Sequence, residues 1–124
     1  MAKRPVYLNL LRIHLPVTGW VSILHRVSGA LLFLGMPFGV WGLSISLSSA
    51  AGFRHMTECV AYPLARLFLL FLIWAFAHHL FAGLRHLALD VHLGVDLQRA
   101  RQSSVAVLLA AGLVTLLAAW ELLA

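Results

Sequence analysis

The chain does without several things at once. It has one cysteine, four acidic side chains and few charges of any kind. With Cys59 alone, an intramolecular disulfide is excluded, and no C-x-x-C-H site exists, so any haem would be held without a covalent link. Charged residues make up 10% of the 124 positions, whereas soluble domains average roughly 25%. Hydrophobic residues make up 62%. That imbalance argues against an aqueous fold and for a lipid environment. No stretch has the polar, Gly/Ser-rich character of a linker, so residues 1–124 read as a single membrane-anchoring domain. A cleavable signal peptide is not expected either. Lys3, Arg4, Arg12 and Arg26 punctuate the first 26 residues, and no early apolar run ends at a small-residue cleavage site.

What is present is long and apolar. Stretches without formal charge run from Val27 to Phe53, Leu67 to Leu84 and Gln102 to Trp120. A membrane-crossing helix needs about 20 mostly apolar residues. The expectation is an all-α membrane protein with three transmembrane helices, over approximately 22–49, 65–90 and 102–122. Pro37 should kink the first span or make it locally irregular. Gly35, Gly39 and Gly42 lie at spacings that allow close helix approach, although glycine is common in membrane helices for other reasons. Residues 5–20 are expected to form an interfacial segment, with Trp20, Trp41 and Trp120 as interface anchors.

The net charge is +5, which in a soluble chain would suggest nucleic acid. Here the basic residues flank the apolar runs, so they report topology, not nucleic-acid binding. Lys3, Arg4, Arg12 and Arg26 precede or open the first span, and Arg85, Arg99 and Arg101 lie around the second loop. Only Arg54 and Arg66 occupy the first loop. Seven basic residues against two place the N-terminus and the second loop in the cytoplasm. A bacterial inner membrane is the simplest location.

The titratable chemistry concentrates in HHLFAGLRHLALD, residues 78–90. At about 100° per residue, His79, His86 and Asp90 share one helical face with Ala75, Ala82 and Gly83, while His78 and Arg85 project beside it. A neutral imidazole is a good iron ligand, and small neighbours would let a flat macrocycle approach the helix. His79 and His86 stand roughly 10 Å apart along the axis, enough for one to meet iron and the other to meet polar groups at a haem's edge. His78 competes as ligand. Hydrogen bonding between helices and a proton pathway are the other uses of an intramembrane histidine. A proton pathway would call for a further ionisable group at mid-membrane in the first or third span. At mid-membrane the third span offers no such group, and neither Ser103 nor Thr115 titrates usefully.

A second cluster opens the first span. In SILHRVSG, residues 22–29, Ser22, Arg26 and Gly29 share a face and His25 flanks it. A hydroxyl donor and a guanidinium suit a quinone headgroup, which gains negative charge on its oxygens as it is reduced. The alternative for Arg26 is to snorkel to lipid phosphate.

These residues carry a resemblance. RPVYLNL at 4–10, SILHRVS at 22–28 and HLFAGLRHLALD at 79–90, together with three spans in matching positions, resemble the cytochrome b556 membrane-anchor subunits of succinate dehydrogenase, respiratory complex II. The resemblance covers nearly the whole chain. It implies pairing with a second hydrophobic anchor subunit of three helices, with one haem b between them. By that likeness His79 is this chain's axial iron ligand, with His78 the less favoured choice, and the partner supplies the other ligand. Ser22 and Arg26 would border the ubiquinone site, and His25, Arg26 and His86 would lie near the haem propionates or that site. An iron–sulfur subunit and a flavoprotein subunit would dock on the cytoplasmic face and pass electrons from succinate to ubiquinone. No active site would be complete on this chain alone. Two rivals stay open: a haem-free structural anchor, and the anchor of a fumarate reductase working in the reverse direction. The chain departs from the pattern at Leu89, usually aromatic or Met, and after Asp90, where the glycine commonly found two residues on is displaced to give VHLG.

Overall fold

The computed structural model describes residues 14–123. The RPVYLNL segment, Lys3, Arg4, Arg12 and most of the expected interfacial segment lie outside the described residues. Four helices follow: α1 (Val17–Ser48), α2 (Ala50–Ala61), α3 (Pro63–Asp90) and α4 (Leu97–Leu123). Among the described residues there is no strand. Three helices, α1, α3 and α4, are long and apolar enough to cross a membrane. At 1.5 Å per residue, the 27 to 32 residues of each exceed the roughly 30 Å of a bilayer's hydrocarbon core.

The first helix begins at Val17, earlier than the expected start at 22, so residues 17–20 are continuous with the first long helix. Its helical assignment continues across Pro37, with no break. The helix stops instead at Ser48. Ser49 is extended and its hydroxyl accepts from the Gly52 N–H at 3.0 Å, an N-cap that starts a new helix at once. α2 was not anticipated. It is short, although Phe53, Met56 and Val60 lie on one helical face and Arg54, His55 and Glu58 on the opposite one. Gly52 is required at this corner, because a Cβ there would collide with the Ile45 carbonyl. Pro63 occupies the first turn of α3, where its missing N–H costs nothing.

α3 is the central helix, packing most extensively on α4 and next on α1. The interior is built from small residues. Ala75, Ala77, Ala82, Ala111, Ser28 and Ser104 are all buried, with Val21 and Val107 filling between them. Small side chains are what lipid-embedded helices use to bring backbones together, since hydrophobicity gives no drive for one apolar helix to leave lipid for another. Large apolar side chains point outward, Phe33, Leu47, Leu64 and Trp120 among them. The glycines of α1 divide their roles. Gly35 faces Leu72 of α3 and Gly42 faces Met56 of α2, while Gly39 lines a groove of about 480 Å³ between α1, α2 and α3.

The turn between α3 and α4 is tight. Leu93 N–H donates to Ala88 O at 2.9 Å and His92 N–H to Leu89 O at 3.0 Å. His92 adopts φ +63° and Gly94 φ +74°. The left-handed position that closes a helix normally carries glycine. Here it carries His92, two residues after Asp90, where the sequence departs from the resemblance.

Candidate functional site

The histidines meet where α1 crosses α3. The His25 and His79 rings stack with centroids 4.2 Å apart and planes within 12°, and His86 stacks on the other side of His25 at 4.9 Å. The order is thus His79, His25, His86, with α1 inserting its imidazole between two successive turns of α3. All three are half-buried. His25 lies directly over Gly83, where an added Cβ would meet His25 Nε2 at 3.4 Å, an ordinary contact. The space beside Gly83 is therefore filled by His25 within this chain.

The surroundings of His79 are specific. Its Nδ1 lies 3.1 Å from the carbonyl oxygen of His25 and 3.4 Å from Ser28 Oγ. Ser28 itself donates to that same carbonyl at 2.9 Å. Among the described residues Nε2 makes no hydrogen bond. Gly29 faces the ring edge so closely that a Cβ would come 2.8 Å from Cε1 and 3.2 Å from Nδ1. Ser28 and Gly29 were not singled out as ligand-supporting residues from the sequence. A pair of small residues on the turn after His25 was the available signal. His86 has an analogous arrangement, with Nδ1 2.6 Å from the Ala82 carbonyl one turn back.

His78 is placed differently. It is fully buried, tilts against Trp74 with centroids 5.6 Å apart, and neither ring nitrogen has a hydrogen-bond partner among the described residues. Ala75 and Ala82 are also fully buried, so they do not form an open shelf beside His79. Ala75, His78, Ala82 and Arg85 follow a spacing of three and four residues and form the inward stripe of α3. Arg85 is buried too. Its Nε donates to Ser103 Oγ at 3.0 Å and an Nη2 hydrogen reaches the Ala100 carbonyl at 3.3 Å, tying the end of α3 to the start of α4.

On α1, Ser22 is half-buried and Arg26, one turn on, is exposed. Among the described residues Arg26 forms no ion pair; the pair present joins Arg99 and Asp96 in the α3–α4 turn, both largely exposed. Asp90 is exposed at the end of α3. The structure therefore brings His25, His79 and His86 together, sets Ser22 and Arg26 at the same end of α1, and separates His78 from them all.

The donor set suits a haem and not a bare metal ion. Among the described residues no group of three or more His, Cys, Asp or Glu side chains converges on a metal position. A porphyrin brings four nitrogens of its own, so one protein nitrogen from this chain suffices. Three stacked rings present parallel planes, not converging lone pairs.

Comparison with known proteins gives one answer. Residues 1–119 match the family described as succinate dehydrogenase/fumarate reductase transmembrane subunit. A succinate dehydrogenase cytochrome b556 subunit of Coxiella burnetii is 36% identical over 94% of both chains. Its namesake in Paracoccus denitrificans is 32% identical over 86% of this chain and 82% of its own. A cytochrome b560 subunit of Reclinomonas americana is 33% identical over 94% of this chain and 84% of its own.

Proposed function

The chain belongs to the transmembrane-subunit family of succinate dehydrogenase and fumarate reductase, and we propose that it is the haem b- and quinone-binding anchor of a succinate:quinone oxidoreductase. His79 would hold the haem iron from this chain, and a second hydrophobic anchor subunit would hold the haem from its own side. The observation that carries this is the pinned Nδ1 of His79. An imidazole that gives its Nδ1 hydrogen to a backbone carbonyl keeps its lone pair on Nε2, the nitrogen able to hold iron. The haem, when bound, supplies a one-electron redox centre within the membrane.

The chain's own residues then do three things. His25 and His86, stacked beside His79, offer ring nitrogens toward the haem propionates. Ser22 donates to a quinone carbonyl. Arg26, exposed one turn away, holds the negative charge that grows on the quinone oxygen as electrons arrive. The end of the bundle carrying Ser22, Arg26 and Asp90 faces the cytoplasm of a bacterial inner membrane, where the iron–sulfur and flavoprotein subunits dock and deliver electrons from succinate to ubiquinone. The same groups serve an anchor running toward fumarate, since stabilising quinone and quinol oxygens does not select a direction.

The test is a pair of substitutions in the complex purified with its other subunits. His79→Ala removes the b-type haem absorbance, whereas His78→Ala keeps it. The opposite pattern refutes the assignment of His79. A complex that holds no haem in its unaltered form refutes haem binding altogether and favours a structural anchor.

A further inference from the structure

We propose that Ser28 and Gly29 of α1 are positioning residues that fix both the tautomer and the setting of the His79 ring. The inference rests on His79 being the iron ligand and adds to it two residues that never touch the iron.

The tautomer follows from what faces Nδ1. The His25 carbonyl oxygen, 3.1 Å away, only accepts. The Ser28 hydroxyl has committed its hydrogen to that same oxygen at 2.9 Å, so it too turns lone pairs toward Nδ1 from 3.4 Å. Two acceptors and no donor then surround this nitrogen among the named contacts, which places the hydrogen on Nδ1 and the lone pair on Nε2. Ser28 is fully buried, so water does not substitute for its hydroxyl.

The ring's setting follows from Gly29. A Cβ at this position would lie 2.8 Å from Cε1 of His79, well inside the roughly 3.5–4.0 Å at which two carbon atoms pack best. The intruding atom belongs to the backbone of a continuous helix, so the ring must give way by on the order of 0.7 Å. A retreat directed away from α1 would lengthen the 3.1 Å contact between Nδ1 and the His25 carbonyl and weaken that hydrogen bond. The stack with His25, at 4.2 Å, would open with it. Gly29 therefore lets α1 approach close enough for its carbonyl to hold the imidazole.

The test compares Gly29→Ala, Ser28→Ala and the control Gly39→Ala, whose added Cβ would meet nothing within 4 Å. Each complex is purified whole, and haem content, low-spin EPR signal and haem midpoint potential are measured. Gly29→Ala is expected to weaken haem affinity about tenfold, the size of loss seen when the orientation of a metal-bound histidine is disturbed, and to lower the haem content of the purified complex. Ser28→Ala is expected to keep the haem but shift its EPR g-values and midpoint potential, because Nδ1–H loses one of its two acceptors and the His25 carbonyl loses one of its donors. Gly39→Ala is expected to match the unaltered complex. Unchanged haem content, EPR signal and potential in both test variants overturn the proposal. If Gly29→Ala does not assemble, the Ser28→Ala spectrum decides alone. Should His79→Ala abolish the haem while Ser28→Ala and Gly29→Ala leave it untouched, ligation by His79 stands and only the positioning role falls.

Discussion

Removing the Arg85 guanidinium tests how the helix carrying the histidines is held in place. Its Nε–H donates to Ser103 Oγ, whose own hydrogen goes to the Ala100 carbonyl at 3.1 Å, and the guanidinium reaches that carbonyl directly at 3.3 Å. Ser104 Oγ donates there as well, at 2.8 Å. One carbonyl in the first turn of α4 thus gathers the end of α3. In soluble proteins a hydrogen bond from a charged group is worth about 1.5–3 kcal/mol. In bilayers measured side-chain bonds average about 0.6 and reach about 1.7 kcal/mol. Two bonds of the membrane kind, plus the lost packing of the buried alkyl stem, put Arg85→Ala at about 2–4 kcal/mol of destabilisation. Relief from burying a charge works the other way and keeps the estimate at that level instead of higher. Thermal unfolding of the detergent-solubilised complex, followed by far-UV circular dichroism, measures the effect. Arg85→Met, which keeps the stem and drops the bonds, should recover about half of the loss. A double-mutant cycle with Ser103→Ala should give a coupling of about 0.5–1.5 kcal/mol. A change in Arg85→Ala below about 0.5 kcal/mol, with no coupling to Ser103, would refute the clamp.

Other substitutions probe other steps. His92→Gly relieves a left-handed residue at φ +63° and should stabilise the complex by about 1 kcal/mol, read as a higher unfolding midpoint; a lower midpoint would mean the His92 side chain makes a contact worth more than the strain. His78→Leu replaces a fully buried imidazole lacking partners among the described residues, so it should leave stability equal or improved in the same assay; a loss above about 2 kcal/mol would reveal a hydrogen bond to another subunit or to water. Arg26→Leu should depress succinate-dependent quinone reduction at least about tenfold while succinate oxidation by an artificial dye persists, since the charge acts on the quinone and not on succinate. Equal losses of both would make Arg26 a structural residue.

Much of this molecule was legible in its amino-acid order, for a physical reason. Lipid offers no hydrogen bonds, so each crossing must be a long apolar helix, and three such stretches can be read directly from the absence of charge. The concentration of histidines on the second span was visible in the same way. The second helix, capped by Ser49, was not, because it is short and begins before the next charge along the chain, at Arg54. The wheel of α3 also misled in part: it grouped Ala75 and Ala82 with His79, whereas packing turned those alanines inward with His78 and Arg85.

The sequence by itself determined an all-helical membrane protein and its stock of imidazoles, hydroxyls and guanidinium groups, since those follow from hydropathy and residue type. Only the tertiary structure decided which imidazole is held ready and by what. A helical wheel reports directions around one axis and carries no information on the rotation or depth of the neighbouring helix. The crossing of α1 and α3 set both, and with them buried His78 without a hydrogen-bond partner among the described residues while bringing the His25 carbonyl, Ser28 and Gly29 against His79.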